Sequence, residues 1–262
     1  MHFFDFHTHV FPDKIAARAT ANICAFYDLT NDFVGTPETL LRLGGEANVT
    51  HFLLLPVAMK ASQVRHINQF ALEETKLHPE FVSFGALHPD EDDLQSEVDF
   101  ILDNGLRGVK VHPDMIRVPI DDPSMLPIYE AIEGRLPIML HTGDPRMDYS
   151  HPARLRHVMH MFPHLQVFAA HLGGWSVYDE ALEALGDTDC MVDMSSSLAF
   201  LPPEKMVQYI RAFGADRVLF GTDFPIWDPR VEAEKFMRLP LTDDEKAQIA
   251  YRNAEQLLGI DI

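Results

Sequence analysis

Short apolar runs alternate with longer amphipathic stretches along the whole chain. The first run, Phe3-Phe4-Asp5-Phe6-His7-Thr8-His9-Val10, alternates apolar and polar residues with period two and predicts a β-strand. Strand geometry then places Asp5, His7 and His9 on one face, and Phe4, Phe6 and Thr8 on the other. From Phe11 to about Thr36 the pattern predicts an irregular stretch with at most a short helix. Thr36-Pro37-Glu38 is a helix start with proline at the first helical position, and the helix is expected to stop at Gly44-Gly45. Residues 51–57 are continuously apolar, as in strands buried on both faces of a parallel sheet. Further strands are predicted at 81–87, 108–112, 136–141, 166–171, 190–194 and 218–223. Helices are predicted between and after them, near 61–77, 92–104, 124–133, 152–161, 177–185, 203–213, 230–237 and 243–258.

Eight strands alternating with helices argue for an α/β fold, a (β/α)8 barrel occupying residues 1–262 as a single domain with an extra C-terminal helix. The competing architecture is a doubly wound open sheet. No Gly-x-Gly-x-x-Gly follows any predicted strand, which weighs against a dinucleotide-binding version.

Composition narrows the partners. Forty acidic residues against 21 basic ones give a net charge of -19, which disfavours nucleic acid and anionic membranes as partners. Cys24 and Cys190 have no metal-type spacing and are expected as ordinary core thiols in a reducing cytosol. No apolar run is long enough to span a bilayer, and a soluble, cytoplasmic protein is expected.

Chemistry gathers where strands end. Two imidazoles two residues apart, His7 and His9, can converge on one cation of the zinc type. Lys110 and His112 close the fourth predicted strand, His141 the fifth, His171 the sixth and Asp223 the eighth. In a barrel these ends meet at one mouth, where active sites sit. Each alone has an ordinary explanation as a hydrogen-bonded core or turn residue; together on one rim they point to a site. Val109 and Val111 are expected to face the helices, which turns Lys110 inward with His112. His88, His112, Asp144, Arg146, Trp175, Ser195 and Trp227 lie in loops after strands and are secondary candidates.

The set Asp5-x-His7-x-His9, Gly108-Val109-Lys110-x-His112-Pro113, His141-Thr142-Gly143, His171-Leu172-Gly173-Gly174 and Gly221-Thr222-Asp223-Phe224-Pro225 resembles the amidohydrolase superfamily. More narrowly it is similar to the amidohydrolase-related branch, which includes proteins like aminocarboxymuconate-semialdehyde decarboxylase. The resemblance implies that His7, His9, His141 and Asp223 bind a divalent metal, zinc in first place and manganese as the second choice. It implies that His171 holds a second ion, polarises substrate or assists proton transfer. Lys110 matches a position whose lysine, in some members, is carbamylated and bridges two ions; an anchor for a substrate carboxylate or a structural ion pair is the alternative. Asp5 and Thr142 are expected to support the ligating imidazoles.

Two reactions fit that ligand set. The first expectation is hydrolysis of a small-molecule amide, lactone or ester, with a metal-activated water and Asp223 as general base. The alternative is non-oxidative decarboxylation of an aromatic or unsaturated acid, with Asp223 or His171 protonating carbon. A metal-binding barrel without catalysis is the third. The resemblance also implies a homodimer.

Overall fold

The computed structural model describes residues 1–260; the last two residues of the expected domain, 261–262, lie outside the described residues. The strands are β1 (Phe3–Thr8), β2 (Val49–Leu54), β3 (Phe81–Ser83), β4 (Gly85–Ala86), β5 (Val109–Val111), β6 (Ile138–Leu140), β7 (Val167–Ala169), β8 (Met191–Asp193) and β9 (Val218–Leu219). Every pairing is parallel, in the order β1-β2-β3 and then β4 through β9. β3 and β4 are two halves of one wall strand, interrupted at Phe84: one half bonds to β2 and the other to β5. The wall therefore has the eight positions expected.

Hydrogen bonds between the first and last strands close the ring. Phe6 N donates to Phe220 O (2.8 Å), Asp223 N to His7 O (2.8 Å) and His9 N to Phe224 O (2.7 Å). A closed ring leaves no sheet edge exposed. Alternate wall residues such as Phe52, Leu54, Val109, Val111, Ile138 and Leu140 pack outward against the helices in one continuous core. The barrel interior is filled by Phe4, Phe6, Leu53, Phe84, Met139, Phe168 and Leu219, with Ala254 and Leu258 of the last helix joining the same cluster. Phe6 contacts Phe168 at 5.2 Å and Phe84 at 6.4 Å between ring centroids. This aromatic layer is the packed floor on which the mouth stands.

Four elements differ from expectation. Residues between the first strand and Thr36 hold a 15-residue helix, Asp13–Tyr27, instead of an irregular stretch. Its buried stripe is only Ala16, Thr20 and Cys24, spaced by four and made of small side chains, so its apolar face reads weakly in the sequence. The helix Pro37–Glu46 runs through Gly44-Gly45 instead of stopping there. Gly44 lies against Phe52: a Cβ there would come within 2.3 Å of the ring, so this glycine serves close packing. The last helical region is broken by a π-helical turn at Gln248–Arg252. Both cysteines are buried and unpaired, and no helix among the described residues is long and apolar enough to cross a membrane.

The fourth and most consequential difference lies in β1. From Asp5 to Thr8 it advances one residue more than β2 does from Phe52 to Leu54. This bulge breaks strict alternation. Phe4 and Phe6 point into the barrel, Asp5 points away toward Thr222, and His7 nevertheless faces the mouth. The expectation that Asp5, His7 and His9 share a face is therefore corrected.

Truncating the interior layer tests the packing. Phe168→Ala should cost about 3–5 kcal/mol of unfolding free energy, read as a lower urea midpoint with an unchanged m-value. A loss below about 1 kcal/mol would show that Phe168 is not part of a close-packed floor.

Candidate metal centre

His7, His9, Lys110, His141, His171 and Asp223 all line one pocket at the C-terminal ends of the strands. Backbone closure places His7 beside Asp223, and Gly221 makes that approach possible. A Cβ at Gly221 would lie 2.9 Å from His7 Cβ and 3.2 Å from Ser195 Cβ. Asp223 and His171 both occupy the left-handed region (φ 63° and 59°). Such backbone costs on the order of 1–3 kcal/mol for a residue with a Cβ and recurs at functional sites. Here the Asp223 N–H bond to His7 C=O holds it.

Three donor atoms converge. Asp223 Oδ1 lies 3.6 Å from His7 Nε2 and 3.3 Å from His9 Nε2, and the three residues form a group able to hold a cation. The other nitrogen of each imidazole is already engaged. His7 Nδ1 bonds Asp193 Oδ2 (2.9 Å), and His9 Nδ1 bonds Leu55 C=O (2.6 Å). Each ring thus carries its proton on Nδ1 and presents a bare Nε2 lone pair to the centre. This is the arrangement metal-ligating histidines show. Asp223 Oδ2 accepts from Ser196 Oγ at 2.5 Å, and Trp227 Nε1 donates to that same Ser196 oxygen (2.8 Å).

The electrostatics agree with a cation site. Burial works against ionisation of Asp223, but His7, His9 and His171 more than reverse it and hold the carboxyl well below the ordinary range. Asp193 behaves alike: burial opposes its charge, yet His7, His171 and the Ser195 hydroxyl bring it to about 2. Burial lowers His7 to about 4, so its ring is a neutral ligand near pH 7. Two carboxylates that stay ionised in one buried pocket supply the anionic oxygens that a bound cation needs.

His141 is placed differently from the expectation. Its ring does not belong to the His7, His9 and Asp223 group; it falls with His112 and Asp114. It stacks on His112 with centroids 3.9 Å apart, and its Nδ1 meets His171 Nε2 at 3.0 Å. The Lys110 amine is buried without a hydrogen-bond partner among the described residues. Burial lowers it to about 8, although Asp193 and Asp223 pull the other way.

Asp5 and Thr142 do not touch the imidazole rings. Asp5 receives the Thr222 N–H (2.9 Å) and hydroxyl (2.5 Å), and burial raises its carboxyl to about 7. Thr142 Oγ donates to Ala170 C=O. Asp193 was missed as the partner of His7; its signal in the sequence is a lone carboxylate in the apolar run 190–194. Tyr27 and Ser196 were also missed. Tyr27 comes from the unexpected helix and bonds His112 Nε2 at 2.7 Å. Among the secondary candidates, Ser195 sits between His7 and His171. Arg146 is held by Asp144 through two bonds and lies over the rings of Phe26, Tyr27 and Trp175. His88 is buried but caps Asp90 N, outside this pocket.

Comparison with known proteins follows this geometry. The amidohydrolase family profile matches residues 4–260, and the chain belongs to that family of barrel enzymes. One curated relative is the decarboxylase orsB of Emericella nidulans, 23% identical over 155 residues, or 48% of this chain. The match spans 46% of that relative, less than half its length. Among solved structures, 2,6-dihydroxybenzoate decarboxylase in complex with 2,6-dihydroxybenzoate superposes with a TM-score of 0.79 at 18% identity, covering 99% of this chain and 100% of the other. A dihydroxybenzoic acid decarboxylase of Polaromonas sp. JS666, with bound manganese and 2-nitroresorcinol, superposes with a TM-score of 0.75 at 16% identity, covering 98% and 97%. These structures establish the (β/α)8 barrel. The expectation of amide, lactone or ester hydrolysis is corrected: the characterised proteins that this chain resembles are decarboxylases, and the ligand set alone does not separate the two reactions. That shared set of ligands is why sequence motifs pointed to the wrong one first.

Removing the partner of His7 tests the centre. Asp193→Asn should weaken divalent-ion affinity by about 10- to 100-fold with the fold retained, measured by competition against a chelating dye. Wild-type affinity in that variant would show that Asp193 does not orient the ligand.

Proposed function

We propose that this enzyme is a metal-dependent, non-oxidative decarboxylase of a hydroxylated aromatic carboxylic acid. The observation that carries the reading is the convergence of His7 Nε2, His9 Nε2 and Asp223 Oδ1 on the floor of a pocket walled by Tyr27 and apolar side chains. The decarboxylase character of its relatives supports the choice of reaction. Tyr27, Trp175 and Phe200 continue along the mouth as edge-to-face neighbours (5.2 Å and 5.7 Å), a surface suited to a planar ring.

His7, His9 and Asp223 would hold a divalent ion, zinc or manganese, which would supply positive charge to oxygens of the substrate. Asp193 and the Leu55 carbonyl fix the two imidazoles, and Ser196 fixes Asp223. When the ring–carboxyl bond breaks, carbon dioxide leaves and the ring carbon keeps the electron pair; a proton must replace the lost group. Asp223 is held as the anion and is poorly suited to give that proton. We assign the task to His171. Its Nδ1 lies 3.1 Å from Ser195 C=O, and His141 Nε2 lies 3.1 Å from Gly143 C=O. Each of those nitrogens needs a hydrogen to make its bond. The inner contact between His171 Nε2 and His141 Nδ1 needs another, so the pair with all its bonds made carries one extra proton. Burial lowers both imidazoles below their usual value, so that proton is readily released.

Lys110 stays an amine in this reading: Asp193 and Asp223 are the carboxylates that raise its basicity, and it supports their charge in return. One ion per chain is then expected, unchanged in Lys110→Ala, by elemental analysis. Two ions falling to one would restore the carbamate bridge. The homodimer and the cytosolic setting are kept as proposals resting on family resemblance and composition.

The reaction is tested by product analysis on hydroxybenzoic acids. Carbon dioxide and the decarboxylated ring should appear in equal amounts in His171 wild-type enzyme, and His171→Asn should lower kcat by about 10²- to 10⁴-fold with metal content retained. A near wild-type kcat in His171→Asn would move the proton to Asp223. Hydrolysis products without carbon dioxide would overturn the decarboxylase.

A further inference from the structure

Beside the metal centre runs a second, larger depression that the mechanism does not use. It encloses about 1290 Å³ up to its open mouth, between the helix Asp13–Tyr27 and the helix Val64–Leu77. Val10, Phe11, Ile23, Pro56, Val57 and Met115 line both this groove and the metal pocket, so the two share one rim. Farther out, Ile15, Ile67 and Phe70 continue the apolar lining. Ile15 and Met59, both in the groove, are 41% and 45% exposed and extend its apolar lining to the surface. Arg18 and His66 are the basic side chains in its lining, and no carboxylate lines it.

We propose that the groove holds an alkyl substituent of the substrate, so that the enzyme acts on alkyl-substituted hydroxybenzoic acids in preference to unsubstituted ones. The inference rests on the decarboxylase reading and names its substrate class. Continuity with the metal pocket selects this occupant: a ring bound over His7, His9 and Asp223 has the shared rim as its neighbour, and a chain on that ring passes from the rim into the groove. The lining offers apolar contact and few hydrogen-bonding groups, which fits a hydrocarbon chain better than a polar conjugate.

Binding and turnover are measured separately. Wild-type enzyme is titrated calorimetrically with 5-alkylresorcinols from methyl to heptyl, and kcat/KM is measured for the corresponding alkyl-hydroxybenzoic acids. Affinity should rise by about fourfold per methylene over the first few carbons, the increment for burying a CH2 group, and kcat/KM should follow. Ala19→Trp, at a half-buried position in the groove wall, should abolish the chain-length dependence and leave the unsubstituted acid unaffected. Affinity and kcat/KM independent of chain length, with the unsubstituted acid turned over, would overturn the groove assignment and leave the decarboxylase standing. Chain-length-dependent binding without any decarboxylation would sustain the groove and overturn the reaction. If Ala19→Trp converts a dimer to a monomer in sedimentation, the groove is a subunit interface and the proposal fails.

Discussion

Closure of the barrel between its first and last strands is the constraint on which the site depends. Backbone bonds from Phe6 to Phe220 and from Asp223 to His7 join opposite ends of the chain. They bring the Nε2 atoms of two imidazoles within 3.6 Å of one carboxylate oxygen. Those bonds lie above a packed aromatic floor, so the donors stand on a rigid base instead of on flexible loops. The cost is concentrated at the rim: left-handed backbone at Asp223 and His171, and buried charge on Asp193 and Asp223. Both costs are the kind that a bound cation and a fixed hydrogen-bond shell offset.

The wall was legible because parallel strands are buried on both faces and read as apolar runs; the helices 152–161 and 203–213 were found at their observed bounds. The rim residues were legible because a polar side chain ending such a run has few reasons to be there. What could not be read was local or long-range geometry. The bulge in β1 leaves no mark on alternation, since both phenylalanines and His7 end up inside. Asp193 could not be matched to His7 without knowing which strands become neighbours of the first. The helix Asp13–Tyr27 hides behind a stripe of small residues, and Tyr27 with it. His141 sits at the expected strand end, but its ring turns to His112 and His171, a choice of rotamer that no spacing encodes.

Reaction type belongs to another level. The same imidazoles and carboxylate serve hydrolysis and decarboxylation, because each uses a cation to draw electron density from substrate oxygen. The difference lies in where the proton comes from and what fills the pocket. A buried imidazole pair whose hydrogen bonds hold one extra proton, set beside an aromatic wall, suits protonation of a ring carbon. Fold likeness alone does not reach that level; the lining of the mouth supports the proposed reading without fixing the reaction.

The central claim is that His7, His9 and Asp223 hold the functional ion. Crystals grown with manganese, with diffraction recorded on both sides of the manganese absorption edge, test it most directly. The expected result is one anomalous peak in contact with His7 Nε2, His9 Nε2 and Asp223 Oδ1. A peak confined to His112, Asp114 and His141, or no peak in the pocket of catalytically active protein, would contradict it.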